Sequence, residues 1–196
     1  MLEVIEGRKM TQNLYPNKTV SPESLFNSID PLRLMAQLPI QPHHIFADFQ
    51  CADGHFTIPI AKHLFSGTVY ASDPSPKNLK GMKEKAIRAR LSNLVIQTEK
   101  QQSKNIPKGT LDGILLPFLL HSSANRKELL AKSFKLIKKG SWVGILEWFD
   151  KKTADGPPVS KRIGIEEVVK LGEEVGFRFP LKRVLDDQHY VVILRK

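Results

Sequence analysis

Apolar positions along the chain follow two rhythms that take turns. Short β-rich runs recur as IFADF (45–49), TVYAS (68–72), LVIQ (94–97), LDGILL (111–116) and WVGILEW (142–148). Such runs read as buried strands. Between them lie stretches with helical spacing: HFTIPIAKHL (55–64), KNLKGMKEKAIRAR (77–90) and NRKELLAKSFKLIKKG (125–140). In the last of these Leu129, Leu130, Phe134 and Ile137 fall on one helical face, and Gly140 is the expected C-cap. A further helix is expected over IEEVVKLGEEVGF (165–177), and a closing strand over HYVVILRK (189–196). Strands alternating with helices predict an α/β doubly wound fold, a mostly parallel sheet with helices on both faces in three layers.

The pattern also places the covers of such a sheet. Upstream, SPESLFNSIDPLRLMAQL (21–38) has a capping-type start at Ser21 and apolar Leu25, Ile29, Leu32 and Met35 at helical intervals. After the fifth strand, FDKKTADGPPVSKR (149–162) reads as a long surface loop, and long loops at strand ends often carry function. Residues 1–20 are expected to be mobile and 21–196 to form one domain, with 21–40 and 149–163 as covers of a pocket.

The longest apolar run, Ile114 to Leu120, is broken by Pro117 and far short of the ~18 residues of a membrane span. The opening MLEVIEGRKM mixes charges where a signal peptide would be apolar, so a cytoplasmic protein is expected. The single cysteine, Cys51, excludes an internal disulfide and a multi-cysteine metal centre. The histidines show no ligand spacing, and no metal is expected. A formal charge of +10, concentrated at Lys77, Lys80, Lys83, Lys85, Arg88 and Arg90, would attract anionic partners. No aromatic residue interleaves that run, so a solvated helix face is the better reading than a nucleic-acid platform.

Ligands of doubly wound sheets bind outside the carboxyl ends of the strands, beside the first one. There a tight turn lets backbone approach the ligand, and a carboxylate ending the second strand can hold ribose hydroxyls. DFQCADGHFT (48–57) stands at that turn and Asp73 ends the second strand. Asp73 is equally compatible with a plain turn or cap role before Pro74. From about Asp30 onward the chain resembles the class I S-adenosylmethionine-dependent methyltransferases, in particular a small-molecule branch that includes quinone-biosynthesis enzymes. The resemblance rests on IDPLRLMAQLPIQPHHIFADFQCADGHFTIPIAKHL, VYASDPSP, LLPFLLH, IKKGS, then EW and GPP, in family order. It implies a seven-stranded sheet with an antiparallel last strand, and S-adenosylmethionine as cofactor.

By that resemblance Asp48 opens the loop motif and Gly54 is its last glycine, with Gln50, Cys51, Ala52 and Asp53 between them. Asp73 and Pro74 would border the ribose, Glu99 or Lys100 stands where an acid often meets adenine, and Leu116 and Pro117 would line the methionine end. Gln50 and Ala52 replace two of the motif's glycines, and each restores a Cβ in a turn that favours positive φ. His121 and His189 are the candidate bases, against the alternative of surface or capping histidines, and Phe118, Trp148 and Tyr190 the candidate walls of an apolar acceptor pocket. Two readings follow: a methyltransferase acting on a small molecule by in-line transfer, or a diverged non-catalytic member that binds a protein or an anionic polymer. A nicotinamide-dependent oxidoreductase would need a differently spaced glycine fingerprint.

Overall fold

The structure is a computed structural model and describes Phe26 and residues 28–196. The expected cap at Ser21 and the first twenty residues lie outside the described residues. Seven strands, β1 (Ile45–Phe49), β2 (Thr68–Asp73), β3 (Leu94–Thr98), β4 (Leu111–Pro117), β5 (Ile137–Trp148), β6 (Arg178–Val184) and β7 (His189–Arg195), form one sheet in the order β3-β2-β1-β4-β5-β7-β6. Strands β1 to β5 pair in parallel, and β7 runs antiparallel to both β5 and β6.

Among the described residues, helix α1 (Pro31–Met35) precedes β1, and helices α2 (Thr57–His63), α3 (Pro76–Arg88), α4 (Glu99–Asn105), α5 (Arg126–Leu136) and α6 (Ile165–Val175) lie between strands. The period-2 alternation of the strands divides the apolar residues between two cores. Phe46, Val69, Leu115, Leu146, Trp148 and Val191 face one layer with Leu34 of α1 and Ile60 of α2. Ala47, Ile114, Leu116, Ile145, Tyr190 and Val192 face the other with Leu130 of α5 and Val168 of α6. Because the inner strands are covered on both sides, they read as unbroken apolar runs.

One expectation is corrected. Helix α5 stops at Leu136, and the chain is already strand at Ile137, so Gly140 is not its C-cap. Gly140 instead takes φ 81 inside β5, where its N–H donates to the Lys196 carbonyl at 2.9 Å. Within the described part of the 21–38 stretch a short helix spans Pro31–Met35 with Asp30 as its N-cap, the carboxylate accepting from Leu32 N–H at 2.9 Å. The β6 strand and the α4 helix have no counterpart in the sequence pattern. Among the described residues no helix is long and apolar enough to cross a membrane.

Candidate functional site

The carboxyl ends of β1, β2, β4 and β5 lie at one edge of the parallel sheet, and antiparallel β7 brings its first residue, His189, to the same edge opposite Trp148. The loop after β1 is tied to β2 by two backbone bonds, from Gln50 N–H at 2.8 Å and Cys51 N–H at 3.0 Å, both to the Ser72 carbonyl. Gln50 sits at φ 66, Ala52 at φ 48 and Gly54 at φ 92. The turn therefore keeps left-handed backbone at all three positions, although two of them carry a Cβ. That conformation costs a non-glycine residue about 1–2 kcal/mol. At Gly54 space adds to conformation, since a Cβ would stand 2.9 Å from Met82 Cγ and 3.1 Å from Ile58 Cγ1.

Every residue of the turn has an identifiable place. Asp48 is fully buried, with Thr57 Oγ1 donating to Oδ2 at 2.6 Å and Oδ1 without a partner. Burial outweighs the Thr57 bond and, with the nearby Asp73 charge, pushes the Asp48 carboxyl up to about 7. Cys51 packs with Ala71 and Met82, and burial drives its thiol well above the usual range, so it is a core filler rather than a nucleophile. Asp53 forms an ion pair with Lys85 of α3, which binds the turn to that helix.

Asp73 ends β2 and is 3% exposed. Its Oδ2 accepts from Ala52 N–H at 2.9 Å, and its Oδ1 from Ser75 N–H at 2.8 Å and Asn78 Nδ2 at 3.2 Å. Burial raises its pKa despite those bonds. Beside it lies a cavity of about 90 Å³ whose lining includes Gln50, Asp73, Pro74, Glu99 and Gln102. Lys100 does not line it, and Leu116 faces the core of the α5 and α6 layer. Gln102 donates to Ser72 Oγ and accepts from Lys132 Nζ at 3.2 Å, which places a polar chain along the cavity wall.

Next to the loop an aromatic box closes the ends of β4, β5 and β7. Phe118 follows β4 at φ 56 and packs on Phe26 (5.6 Å between ring centroids), Trp148 (5.6 Å) and His189 (5.5 Å). Trp148 and His189 are 4.1 Å apart by the same measure. Phe26 in turn meets Phe56, which precedes α2, at 5.5 Å, so the box adjoins the loop. Tyr190 does not share this box. It points into the opposite layer, where its hydroxyl donates to the Ile163 carbonyl at 2.6 Å.

The two candidate bases differ in their surroundings. His121 is bound to Glu147, which accepts from its backbone N–H at 3.0 Å and meets Nδ1 at 2.8 Å. His189 Nδ1 stands 2.9 Å from both oxygens of Asp186, and its Nε2 is buried without a partner. Desolvation holds the His189 pKa below its ordinary value, against the pull of Asp186. Over the box runs the segment 149–163, held by Arg162, which donates to the carbonyls of Pro157, Phe149, Lys151 and Asp155 at 2.8–3.0 Å. Gly156 in that segment has φ 98, and a Cβ there would stand 2.6 Å from the Trp148 ring. Asp186 and Arg162 were not apparent as functional residues from the sequence. The spacing DDQH, an acid three residues before a histidine at a strand start, was the available signal for the first.

A glycine-type turn, an acid ending β2 and a sheet whose last strand is reversed together define a class of nucleoside-binding domain. Residues 47–143 match the family described as a methyltransferase domain, so the chain carries a class I S-adenosylmethionine-dependent methyltransferase domain. No curated protein sequence matches the chain. Among solved structures, a SAM dependent methyltransferase from Aquifex aeolicus has a TM-score of 0.78 at 20% identity, over 89% of this chain and 93% of that one. TYW2 of M. jannaschii in complex with AdoMet has 0.61 at 18% identity, over 83% and 73%. The 4+2 cyclase SpnF has 0.69 at 11% identity, over 93% and 86%. These similarities establish the fold.

The residues fit the cofactor in kind. The turn has the left-handed backbone that a close approach requires, Asp48 Oδ1 has no partner, and Asp73 Oδ2 has accepted only one bond. The volume falls short, because 90 Å³ is well below the roughly 300 Å³ at which small-molecule sites begin. Gln50 and Gln102 are among the side chains that line this narrow space.

Proposed function

We propose that the protein is a methyltransferase that acts on a small molecule by in-line transfer, in a branch resembling the quinone-biosynthesis enzymes, with residues 21–196 acting as one unit. The observation that carries this reading is the turn itself: Gln50 and Ala52 accept positive φ, and Ala52 N–H is locked to Asp73. Strain kept at a strand end is characteristic of a ligand site. S-adenosylmethionine supplies, when bound, an electrophilic methyl group on a sulfonium. The backbone of Gln50 to Gly54 would hold its amino-acid end, Asp73 the ribose, and Pro74 with Glu99 the adenine, while Pro117 fixes the turn into Phe118 on the acceptor side. The remaining contribution of the protein is alignment and exclusion of water by the aromatic box and the 149–163 cover.

Calorimetric titration tests this. Wild type is expected to bind both S-adenosylmethionine and its demethylated product saturably, and Asp73→Asn to bind at least tenfold more weakly, as loss of charge-assisted bonds predicts. The narrow cavity favours a second reading, a binding protein that keeps the fold without the chemistry. That reading expects no heat from wild type at millimolar ligand, and measurable affinity only after Gln50→Gly and Ala52→Gly are combined.

A further inference from the structure

An open groove of about 570 Å³ runs between α3 and the outer edge of β3. It shares no lining residue with the cavity beside Asp73, so the cofactor gives it no role. Its apolar lining comes from Leu79 and Ile87 of α3, from Leu91 after that helix, and from Leu94 and Ile96 of β3. Ile87 is 67% exposed and the other four are half-buried, which leaves an apolar strip open beside the helix. Lys80 and Lys83 also line the groove, because positions 79, 80, 83 and 87 fall on one face of a helix. Neither lysine has a carboxylate partner among the described residues, whereas Lys85 of the same helix is taken by Asp53.

The edge strand adds backbone groups. β3 is outermost in the sheet, with no strand beyond it among the described residues, and Val69 N–H donates to the Asn93 carbonyl at 2.8 Å. In a parallel ladder that bond turns residues 93, 95 and 97 towards β2, so the N–H and C=O groups of Leu94 and Ile96 face outward. The next outward donor, Thr98 N–H, is closed off by Gln101 Oε1 at 2.8 Å. Free edge groups beside an apolar strip and two unpaired cations suit an extended chain, whose backbone pairs while its side chains supply apolar and acidic contacts. We propose that this groove docks an acidic, extended segment of a partner protein, added as a strand to the edge of β3. Docking there is independent of whether the Asp73 cavity takes the cofactor.

Other occupants match fewer of these features. A second copy of this chain, paired edge to edge, would set the two α3 helices side by side and bring Lys80 and Lys83 of each molecule together, on chains of formal charge +10. Like charges oppose that pairing. A single-stranded nucleic acid would satisfy the lysines, yet none of the described residues lining the groove is aromatic, so its bases have nothing to stack on. An acyl chain with an anionic head would cover the apolar strip and leave the Leu94 and Ile96 backbone groups to water.

The test uses the full chain and a fluorescently labelled peptide of alternating glutamate and valine, capped at both ends, with a lysine and valine peptide as its counterpart. Anisotropy is expected to show saturable binding, at least tenfold tighter for the glutamate peptide and weaker as salt rises. Amide hydrogen exchange in the complex should slow at Leu94 and Ile96, and stay unchanged at Val95 and Gln97, which β2 already holds. Lys80→Glu combined with Lys83→Glu should reverse the preference, so that the lysine peptide binds more tightly. The wild-type comparison of the two peptides stands even if that variant fails to fold. No binding at millimolar peptide, equal binding of the two peptides, or binding without slowed exchange at Leu94 and Ile96 overturns the proposal. Tighter binding of a uridine oligonucleotide than of the glutamate peptide overturns it in favour of a nucleic-acid surface. A dimer of the chain that protects the same two amides without peptide overturns it in favour of self-pairing.

Discussion

Asp48 is fully buried, bonded to Thr57 through one oxygen and unpaired at the other, so its ionised form is disfavoured and its pKa is pushed up to about 7. A folded-state pKa above the unfolded value makes stability a decreasing function of pH. Below about pH 4 both states hold the proton and the contribution is fully present; it is lost as pH rises towards 7, by at most about 1.4 kcal/mol per pH unit. Urea midpoints measured from pH 4 to 8 should therefore fall less steeply for Asp48→Asn than for wild type, with the variant gaining on wild type between pH 4 and about 7 and the difference constant above that. Parallel curves would show that Asp48 is ionised in the fold. At this scale the sequence located the turn and Asp73 by spacing, because a strand, a short turn and a second strand ending in an acid are local features. It could not reveal that Ala52 N–H, Ser75 N–H and Asn78 already occupy the Asp73 carboxylate, since those bonds depend on backbone directions that no residue type encodes. The Asp186 to His189 pair and the unpaired Nε2 were hidden for the same reason.

Among the elements, the 149–163 segment depends on one side chain. Arg162 is 8% exposed, donates to four backbone carbonyls, and lies over the Trp148 ring with 5.3 Å between its guanidinium carbon and the ring centroid. Arg162→Ala leaves those carbonyls without their cation and should cost about 2–4 kcal/mol. Hydrogen exchange should report it: amides of 149–163 should lose protection in the variant while those of β1 and β4 keep theirs. Uniform loss of protection would mean that the segment is part of the core rather than a cover. The buried strands were legible as apolar runs, and α6 as a helix ending at Gly176, φ 116. The β6 strand was not, because RFPLKRV is a largely exposed edge strand whose Pro180 and charges hide the alternation. The start of β5 was misread because Ile137 continues the helical spacing of α5 while its backbone already pairs with Leu111.

For the whole molecule, the order β3-β2-β1-β4-β5-β7-β6 places β2 and β4 on either side of β1, so connections leave the sheet in opposite directions beside the candidate site. That arrangement follows from the right-handedness of parallel crossovers and from strands apolar enough to be covered twice. The central claim is that this crevice opens to admit an adenosyl ligand whose sugar rests on Asp73. The direct measurement is electron density from a crystal grown with the demethylated cofactor product. The account predicts density running from the Gln50–Gly54 turn to Asp73 Oδ2, with the Gln102 side chain displaced from Ser72. A well-ordered crystal grown at saturating product, with Gln50 and Gln102 in place and no ligand beside Asp73, would contradict it.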